Sequence, residues 1–146
     1  MTVPEIKVFS SDNAGLASFL GDRLYEFNVS ATGISDGELL WASITSEGDT
    51  PVAGISGHTW GGCCEISRLW VEASQRGKGF GSALMVAAEG EAIRRGCTQI
   101  VLSTHSFQAP AFYEKLGFRW VATIPNYPRG HEQVLYIKDL SQVNGA

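Results

Sequence analysis

The chain has 146 residues, 44% of them hydrophobic, and a formal net charge of −4. This length fits one domain of ordinary size, and we expect residues 1–146 to form it. The negative charge argues against a protein that binds nucleic acid by covering phosphates with Lys and Arg. No apolar run approaches the roughly 20 residues of a membrane helix. The start, MTVPEIKVFS, lacks the basic and apolar regions of a secretory signal, so we expect a cytoplasmic location.

The amino-terminal part carries a strand pattern followed by a helix pattern. Glu5 to Phe9 predicts a first strand, and Ser11 with Asp12 supplies capping groups for a helix. The apolar residues of that helix recur at helical spacing and form one stripe, namely Leu16, Phe19, Leu20, Leu24 and Phe27.

Two strands and a turn follow a loop rich in Gly, Ser and Thr. Glu38 to Thr45 and Val52 to Trp60 flank the turn-forming segment 46–51, which predicts an antiparallel hairpin.

The strand after this hairpin changes phase. Cys64 and Ile66 share one face, whereas Leu69 lies on the other. An inserted residue near Ser67 and Arg68, a β-bulge, explains the change.

A helix is predicted from Ser82 to Arg95, because the composition is strongly helical and Glu91 forms an i,i+4 pair with Arg95. Gly96 stands where a helix usually ends, and Gln99 to Thr104 predicts the next strand.

The carboxy-terminal part contains a short helix and two strands. Pro110 suits the first turn of a helix that ends at Gly117, with Phe118 placed for the apolar contact that often follows such an end. Arg119 to Ile124 and Gln133 to Lys138 predict closing strands.

The segment 69–82 runs from a strand through a glycine-rich turn into a helix. Gly77, Gly79 and Gly81 let backbone amides converge on a phosphate, and the helix start adds positive potential. Arg76 and Lys78 contribute formal charge.

Rival glycine motifs fit this segment poorly. A P-loop requires Ser or Thr after Gly-Lys, whereas Gly79 follows Lys78. A dinucleotide fingerprint requires an acidic residue near the end of the next strand, where His105 stands instead. A methyltransferase loop requires more chain after it.

Two motifs resemble those of the GNAT acetyltransferases. Residues 76–81 (RGKGFG) match the pyrophosphate loop of that family, R/Q-x-x-G-x-G/A, and residues 109–118 (APAFYEKLGF) match its A-x-x-x-Y-x-x-x-G-F helix. The resemblance implies an α/β (α+β) fold with a mixed, mostly antiparallel central sheet flanked by helices. It also implies acetyl-coenzyme A in a cleft beside the bulged strand.

The resemblance assigns a set of residues to the coenzyme. The backbone of the bulged strand would pair with the pantetheine amides, and the glycine loop would hold the pyrophosphate. The expected coenzyme residues are Leu69, Trp70, Val71, Arg76, Gly77, Lys78, Gly79, Phe80, Gly81, Ser82 and Ser106. Ser106 departs from the family, which often has Asn at that position, although a hydroxyl can still form hydrogen bonds.

Two residues are candidates for proton transfer. Tyr113 matches the family's tyrosine general acid, with a core aromatic residue as the alternative. Glu65 lies on the bulged strand and is the best-placed base, with a solvated or ion-paired residue as the alternative.

The cysteines and histidines predict no catalytic or metal site. Cys63, Cys64 and Cys97 lack the usual spacing of zinc or redox motifs, so we interpret them as reduced, buried thiols, with a redox switch as the alternative for the adjacent pair. The histidines His58, His105 and His131 lie on separate elements and form no local metal-ligand pattern.

The acceptor site is the least determined part of the sequence. Asn28 and Tyr127 are candidates to contact the acceptor, and residues 126–131 form a polar loop of the kind that shapes such sites. Trp60, Trp70 and Trp120 are expected mainly in the core, although an acceptor wall or a homodimer interface is open.

The resemblance implies an N-acetyltransferase that moves an acetyl group from acetyl-coenzyme A to a small primary amine in a ternary complex. A protein or peptide acceptor, a longer acyl group and a non-catalytic acyl-coenzyme A sensor stay open, because fold does not imply function.

Overall fold

The computed structural model describes residues 2–141. The chain divides into two compact units, one ending at Ile34 and one beginning at Ser35. No helix in the described residues is long and apolar enough to cross a bilayer.

The first unit contains one helix, α1 (Ala14–Thr32). The side chain of Asn13 accepts a hydrogen bond from the N–H of Leu16 at 2.9 Å, and Gly33 ends the helix with a φ of 74°. The prediction that Ser11 and Asp12 cap this helix is therefore wrong, because the helix begins one residue later than those side chains can serve.

The predicted strand from Glu5 to Phe9 is also wrong, since residues 5–9 adopt no regular structure. Within residues 2–34 there is no second extended segment to pair with them. An alternating pattern without a hydrogen-bonded neighbour does not make a stable strand.

The second unit contains a six-stranded sheet, counted over the described residues, with two α-helices and a 3-10 turn. Its elements are β1 (Glu38–Thr45), β2 (Pro51–Trp60), β3 (Cys63–Val71), the 3-10 turn Ala73–Gln75, α2 (Phe80–Arg94), β4 (Gln99–His105), α3 (Pro110–Lys115), β5 (Arg119–Pro125) and β6 (Glu132–Asp139). The strand order is β1-β2-β3-β4-β6-β5, and only β3 and β4 are parallel. The predicted mixed, mostly antiparallel sheet is confirmed.

The predicted bulge lies in β3. Gly57 of β2 pairs with Ile66, whereas the preceding Ser56 pairs with Arg68, so Ser67 is the inserted residue. On the other side of β3, the parallel pairing with β4 ends at Ile66 and Leu102. The two strands therefore separate after this point and leave a cleft between them.

The sheet has two distinct faces beside this cleft. The core face packs on α2, whose Leu84, Met85, Ala88 and Ala92 are buried, and it carries the buried Cys64. We call the opposite side the second face, and in β2 and β3 its residues are Gly54, Ser56, His58, Glu65, Arg68 and Trp70. Cys64 and Cys97 are buried free thiols, as predicted, whereas Cys63 is half-buried.

Arg95 anchors the carboxy-terminal end of α2 to the sheet. Its side chain is only 14% exposed and pairs with Glu91 at 3.0 Å, which confirms the predicted i,i+4 pair. It also donates hydrogen bonds to the Leu39 carbonyl at 3.0 Å and to Thr59 Oγ1 at 3.1 Å. These contacts join the helix end to β1 and β2.

Candidate active site

A cavity of about 860 Å³ occupies the cleft between β3 and β4. It reaches the amino-terminal end of α2 on one side and α3 on the other. Its lining comprises Ser67, Arg68, Leu69, Trp70, Val71, Gln75, Arg76, Gly77, Gly79, Phe80, Gly81, Ser82, Ser103, Thr104, Phe107, Gln108, Ala109, Phe112 and Tyr113. The structure thus brings together most of the residues expected from the two sequence motifs.

The glycine loop places free backbone donors at the cavity. Gly77 and Gly79 have φ angles of 79° and 83°, a conformation that favours glycine. The first hydrogen bond inside α2 runs from the N–H of Ala83 to the carbonyl of Gly79. The N–H groups of Gly81 and Ser82 precede this bond, so they are available to an anion at the positive end of the helix.

The two cationic residues of the loop differ in position. Arg76 lines the cavity and donates from Nε to the Val71 carbonyl at 3.0 Å, so it also holds the loop against the end of β3. Lys78 does not line the cavity, and its ammonium donates to Gln75 Oε1 at 3.0 Å. Within the glycine loop, the backbone amides and Arg76 therefore provide the positive potential that faces the cavity.

Tyr113 lies on α3 at the cavity wall and is 7% exposed. Its ring contacts Phe112 and Phe118 edge to face, with centroid distances of 5.1 and 5.8 Å. Burial raises the pKa of this phenol. Its hydroxyl has no hydrogen-bond partner among residues 2–141, so it is free to donate a proton or a hydrogen bond into the cavity.

Two hydrogen bonds orient the side-chain amide of Gln108, a cavity-lining residue that was not among the residues predicted from the sequence. The N–H of His105 donates to Gln108 Oε1 at 2.8 Å, and the Thr104 hydroxyl donates to the same oxygen at 3.3 Å. Because a backbone N–H is only a donor, these bonds identify the oxygen of the amide. The amide nitrogen is therefore left to donate elsewhere.

The cavity is lined by side chains from both faces of the sheet. Val71 and Tyr113 approach it from the core face, whereas Arg68 and Trp70 approach from the second face. Ser103 also belongs to the second face, because its neighbours in β4 are buried on the core face. Side chains from either face of the sheet can thus contact a molecule in the cleft.

Glu65 lies on the second face, on the same strand as Arg68 but outside the cavity lining. Its carboxylate is 3.4 Å from His58 Nε2, and both side chains are about half exposed, at 56% and 45%. A solvated or ion-paired position is the alternative that the sequence left open for this residue.

Ser106 joins the ends of two strands and does not line the cavity. Its N–H donates to the Glu132 carbonyl at 2.8 Å, and its hydroxyl accepts from the N–H of Glu132 at 3.1 Å. These bonds hold the β5–β6 loop beside the segment that follows β4.

Tyr127, in the β5–β6 loop, packs at 5.0 Å from the His105 ring, which stacks on Phe107 at 5.4 Å. Phe107 lines the cavity, so this aromatic cluster connects Tyr127 to it. Asn28 is half-buried near the end of α1, in the first unit, where its carbonyl accepts from Thr32 Oγ1 at 2.7 Å.

The tryptophans correct the expectation of a mainly core location. Trp70 and Trp120 are 55% and 59% exposed, and Tyr127 is 51% exposed. Trp60 is half-buried. Indoles tolerate such positions because their large apolar rings carry a polar N–H. The described residues 2–141 contain no group of three or more His, Cys, Asp and Glu side chains placed to hold a metal ion.

Comparisons with known proteins agree with this geometry. The sequence profile of the acetyltransferase (GNAT) family matches residues 14–118. The chain is 41% identical over 88 residues to a blasticidin-S acetyltransferase of Streptomyces morookaense, and this match covers 60% of the chain and 65% of the relative, just under two thirds of its length. It is 31% identical over 103 residues to an acetyltransferase of Agrobacterium fabrum, covering 70% and 75%.

A solved structure shows the same fold over nearly the whole chain. The crystal structure of an acetyltransferase from Bacillus cereus matches with a TM-score of 0.76 and 29% identity, covering 92% of this chain and 98% of the other. The glycine loop, the split between β3 and β4 and the tyrosine helix all lie in the region that the family profile matches. The chain therefore belongs to the GNAT acetyltransferase family.

Proposed function

We propose that the chain transfers an acetyl group from acetyl-coenzyme A to a primary amine of a small molecule. The observation that carries this proposal is the cavity itself, which has free helix N–H groups at one end and the buried phenol of Tyr113 on its wall. The amine nitrogen bonds to the thioester carbonyl carbon, and the carbon–sulfur bond then breaks. The amine loses a proton and the thiolate gains one, giving an amide and coenzyme A.

The glycine loop is the proposed pyrophosphate site. Helix N–H groups and Arg76 suit a diphosphate, because oriented amide donors and a positive helix end favour anions. Beyond Ile66, the edge of β3 that faces β4 has no strand partner, so backbone groups of Leu69 and Trp70 are suited to the pantetheine amides. The cavity volume of about 860 Å³ accommodates an extended arm.

Tyr113 is the proposed general acid, since its phenol lies on the cavity wall and burial raises its pKa further, so that it carries a proton at neutral pH. Glu65 is the proposed base, acting through water from the second face. The transfer is direct, and close placement of amine and thioester supplies much of the rate.

The proposed acceptor is a small-molecule amine, supported by the relative named for blasticidin S. Tyr127 and Asn28 stay candidates for acceptor contacts. A single domain over residues 1–146, a cytoplasmic location and a homodimer also stay predictions.

Calorimetric titration with acetyl-coenzyme A, coenzyme A and NAD, followed by thiol release on the same sample, tests the proposal. The amine panel contains blasticidin S, simple primary amines and short peptides with free amino termini. Coenzyme A binding with release on small amines is the expected result. Release on peptides alone would identify a peptide acceptor, and binding without release would identify a sensor. Absence of coenzyme A binding would overturn the proposal.

A further inference from the structure

A groove of about 430 Å³ lies on the second face, over β1, β2 and β3. Its floor includes the small residues Gly54 and Ser56. In the strand register Trp41 and Arg68 both pair with Ser56, from opposite sides, while Trp70 pairs with Gly54. Because neighbouring strands are about 4.8 Å apart, the walls on β1 and β3 stand about 10 Å apart.

The two indoles of the groove are exposed, at 69% for Trp41 and 55% for Trp70. The floor between them carries no large side chain that could pack against their rings. Aromatic walls above a floor of small residues favour a flat ring, since offset stacking adds to the burial of apolar area.

Arg68 gives the groove a charge preference. Its guanidinium is exposed and makes no ion pair with a carboxylate among residues 2–141. The nearest acidic residue along β3, Glu65, pairs with His58 instead. A guanidinium presents paired donors that match the geometry of a carboxylate, so an anionic oxygen pair is the expected partner.

The groove is continuous with the proposed active site. Arg68 and Trp70 line both the groove and the larger cavity, whose far wall carries Tyr113. A ligand in the groove therefore has one end beside the cleft, where an amine would meet the thioester.

We infer that the groove selects acceptors in which a planar ring carries both a primary amine and a carboxylate. The ring lies between Trp41 and Trp70, the carboxylate pairs with Arg68, and the amine extends into the cleft. This inference rests on the proposed function and adds the chemical class of its substrate.

Three amines of matched size test the inference, with kcat/KM measured by thiol release. They are para-aminomethylbenzoate, benzylamine, which lacks the carboxylate, and trans-aminomethylcyclohexanecarboxylate, which lacks the planar ring. We expect para-aminomethylbenzoate to exceed each of the others by about tenfold, the effect of one charge-assisted bond or one aromatic contact.

Two variants assign these preferences to the groove. Arg68→Gln should reduce the kcat/KM ratio of para-aminomethylbenzoate to benzylamine to about one. Trp41→Leu should reduce the kcat/KM ratio of para-aminomethylbenzoate to trans-aminomethylcyclohexanecarboxylate to about one. Arg119→Gln, a change of an exposed arginine on β5, is the matched control and should keep both preferences. Circular dichroism and coenzyme A affinity verify that each variant is folded.

Direct binding makes the result independent of turnover. Calorimetric titration of the coenzyme A-loaded protein with para-aminomethylbenzoate should show binding that Arg68→Gln weakens by about tenfold. Equal kcat/KM for the three amines, or binding unchanged by Arg68→Gln, would overturn the inference while leaving the acetyltransferase proposal intact. Absence of coenzyme A binding would instead remove the proposed function itself.

Discussion

Gly57 faces the carbonyl of Glu65 so closely that a Cβ atom at residue 57 would lie 2.1 Å from the carbonyl oxygen. This contact lies at the bulge that separates β3 from β4, and the atom in the way belongs to the backbone, which cannot rotate aside. Only a residue without a side chain allows β2 to approach the bulge at this point.

Gly57→Ala should therefore destabilise the protein by about 1–3 kcal/mol, as overpacking does, and should weaken coenzyme A binding by displacing the bulged strand. Urea unfolding and calorimetry measure the two effects. Gly54→Ala, on the same strand, is the matched control, because its Cβ would lie at an ordinary 3.6 Å from the Ala42 carbonyl oxygen. Equal stability of the two variants would contradict the assignment.

Gly79→Ala should strain the glycine loop. An alanine at a φ of 83° costs about 1–2 kcal/mol and tilts the N–H groups that follow it, so coenzyme A affinity should fall by about tenfold. Gly90→Ala is the comparison variant. Gly90 lies inside α2, where there is space for a methyl group, so this change should instead stabilise the protein by about 1 kcal/mol. Coenzyme affinity that is the same in both variants would remove the loop from the coenzyme site.

Tyr113→Phe should lower kcat by about 10²-fold or more if the phenol protonates the leaving thiolate. Coenzyme A affinity and stability should change little, since the hydroxyl has no partner among the described residues. Tyr136→Phe is the control: its hydroxyl donates to Glu114 at 2.8 Å, so this variant should lose about 1 kcal/mol of stability and keep its turnover. Unchanged kcat in Tyr113→Phe would exclude the general-acid role.

Glu65→Gln should lower kcat/KM by about 10²-fold near neutral pH, because an amide cannot accept the proton of the ammonium. Glu47→Gln, in the exposed turn of the hairpin, should behave like the parent. A kcat/KM that Glu65→Gln leaves unchanged would assign the base to another group.

Stability should fall at alkaline pH. Burial raises the pKa of the Cys64 thiol from 9.0 to about 12, so the folded state retains a proton that the unfolded chain releases above pH 9.0. The stabilisation is complete below pH 9.0 and is lost as pH rises toward about 12, with a slope of about 1.4 kcal/mol per pH unit. The free energy of unfolding, measured in urea at each pH, should decrease less steeply with pH in Cys64→Ala than in the parent. Identical pH dependences would contradict the assignment of the effect to Cys64.

Local patterns determined much of the fold. The hairpin was predictable from the turn between its strands, α2 from the glycine at its end, and the bulge from the change of phase in β3. Each of these signals is contained within a few residues. The failure at residues 5–9 has a different cause, since a strand exists only when a partner lies beside it. Asn13 was missed as the cap because three consecutive residues, Ser11 to Asn13, have capping side chains.

The residues of the candidate site also differ in how well the sequence predicted them. The glycine loop and Tyr113 belong to contiguous motifs, and the structure places both at one cavity. The groove was not predictable, because only the register of three strands places Trp41 and Arg68 on opposite sides of Ser56. Gln108 lies just outside the motif of residues 109–118, and the orientation of its amide depends on contacts with Thr104 and His105.

Arg95 also influences the glycine loop, which lies at the opposite end of α2. Helix α2 has 15 residues and is therefore about 22 Å long, and Arg95 fixes its far end to the hairpin strands. A small rotation of the helix about its Arg95 end would therefore produce a larger displacement at Gly79, at the opposite end. The orientation of the loop N–H groups thus depends partly on Arg95, which lies outside the cavity lining.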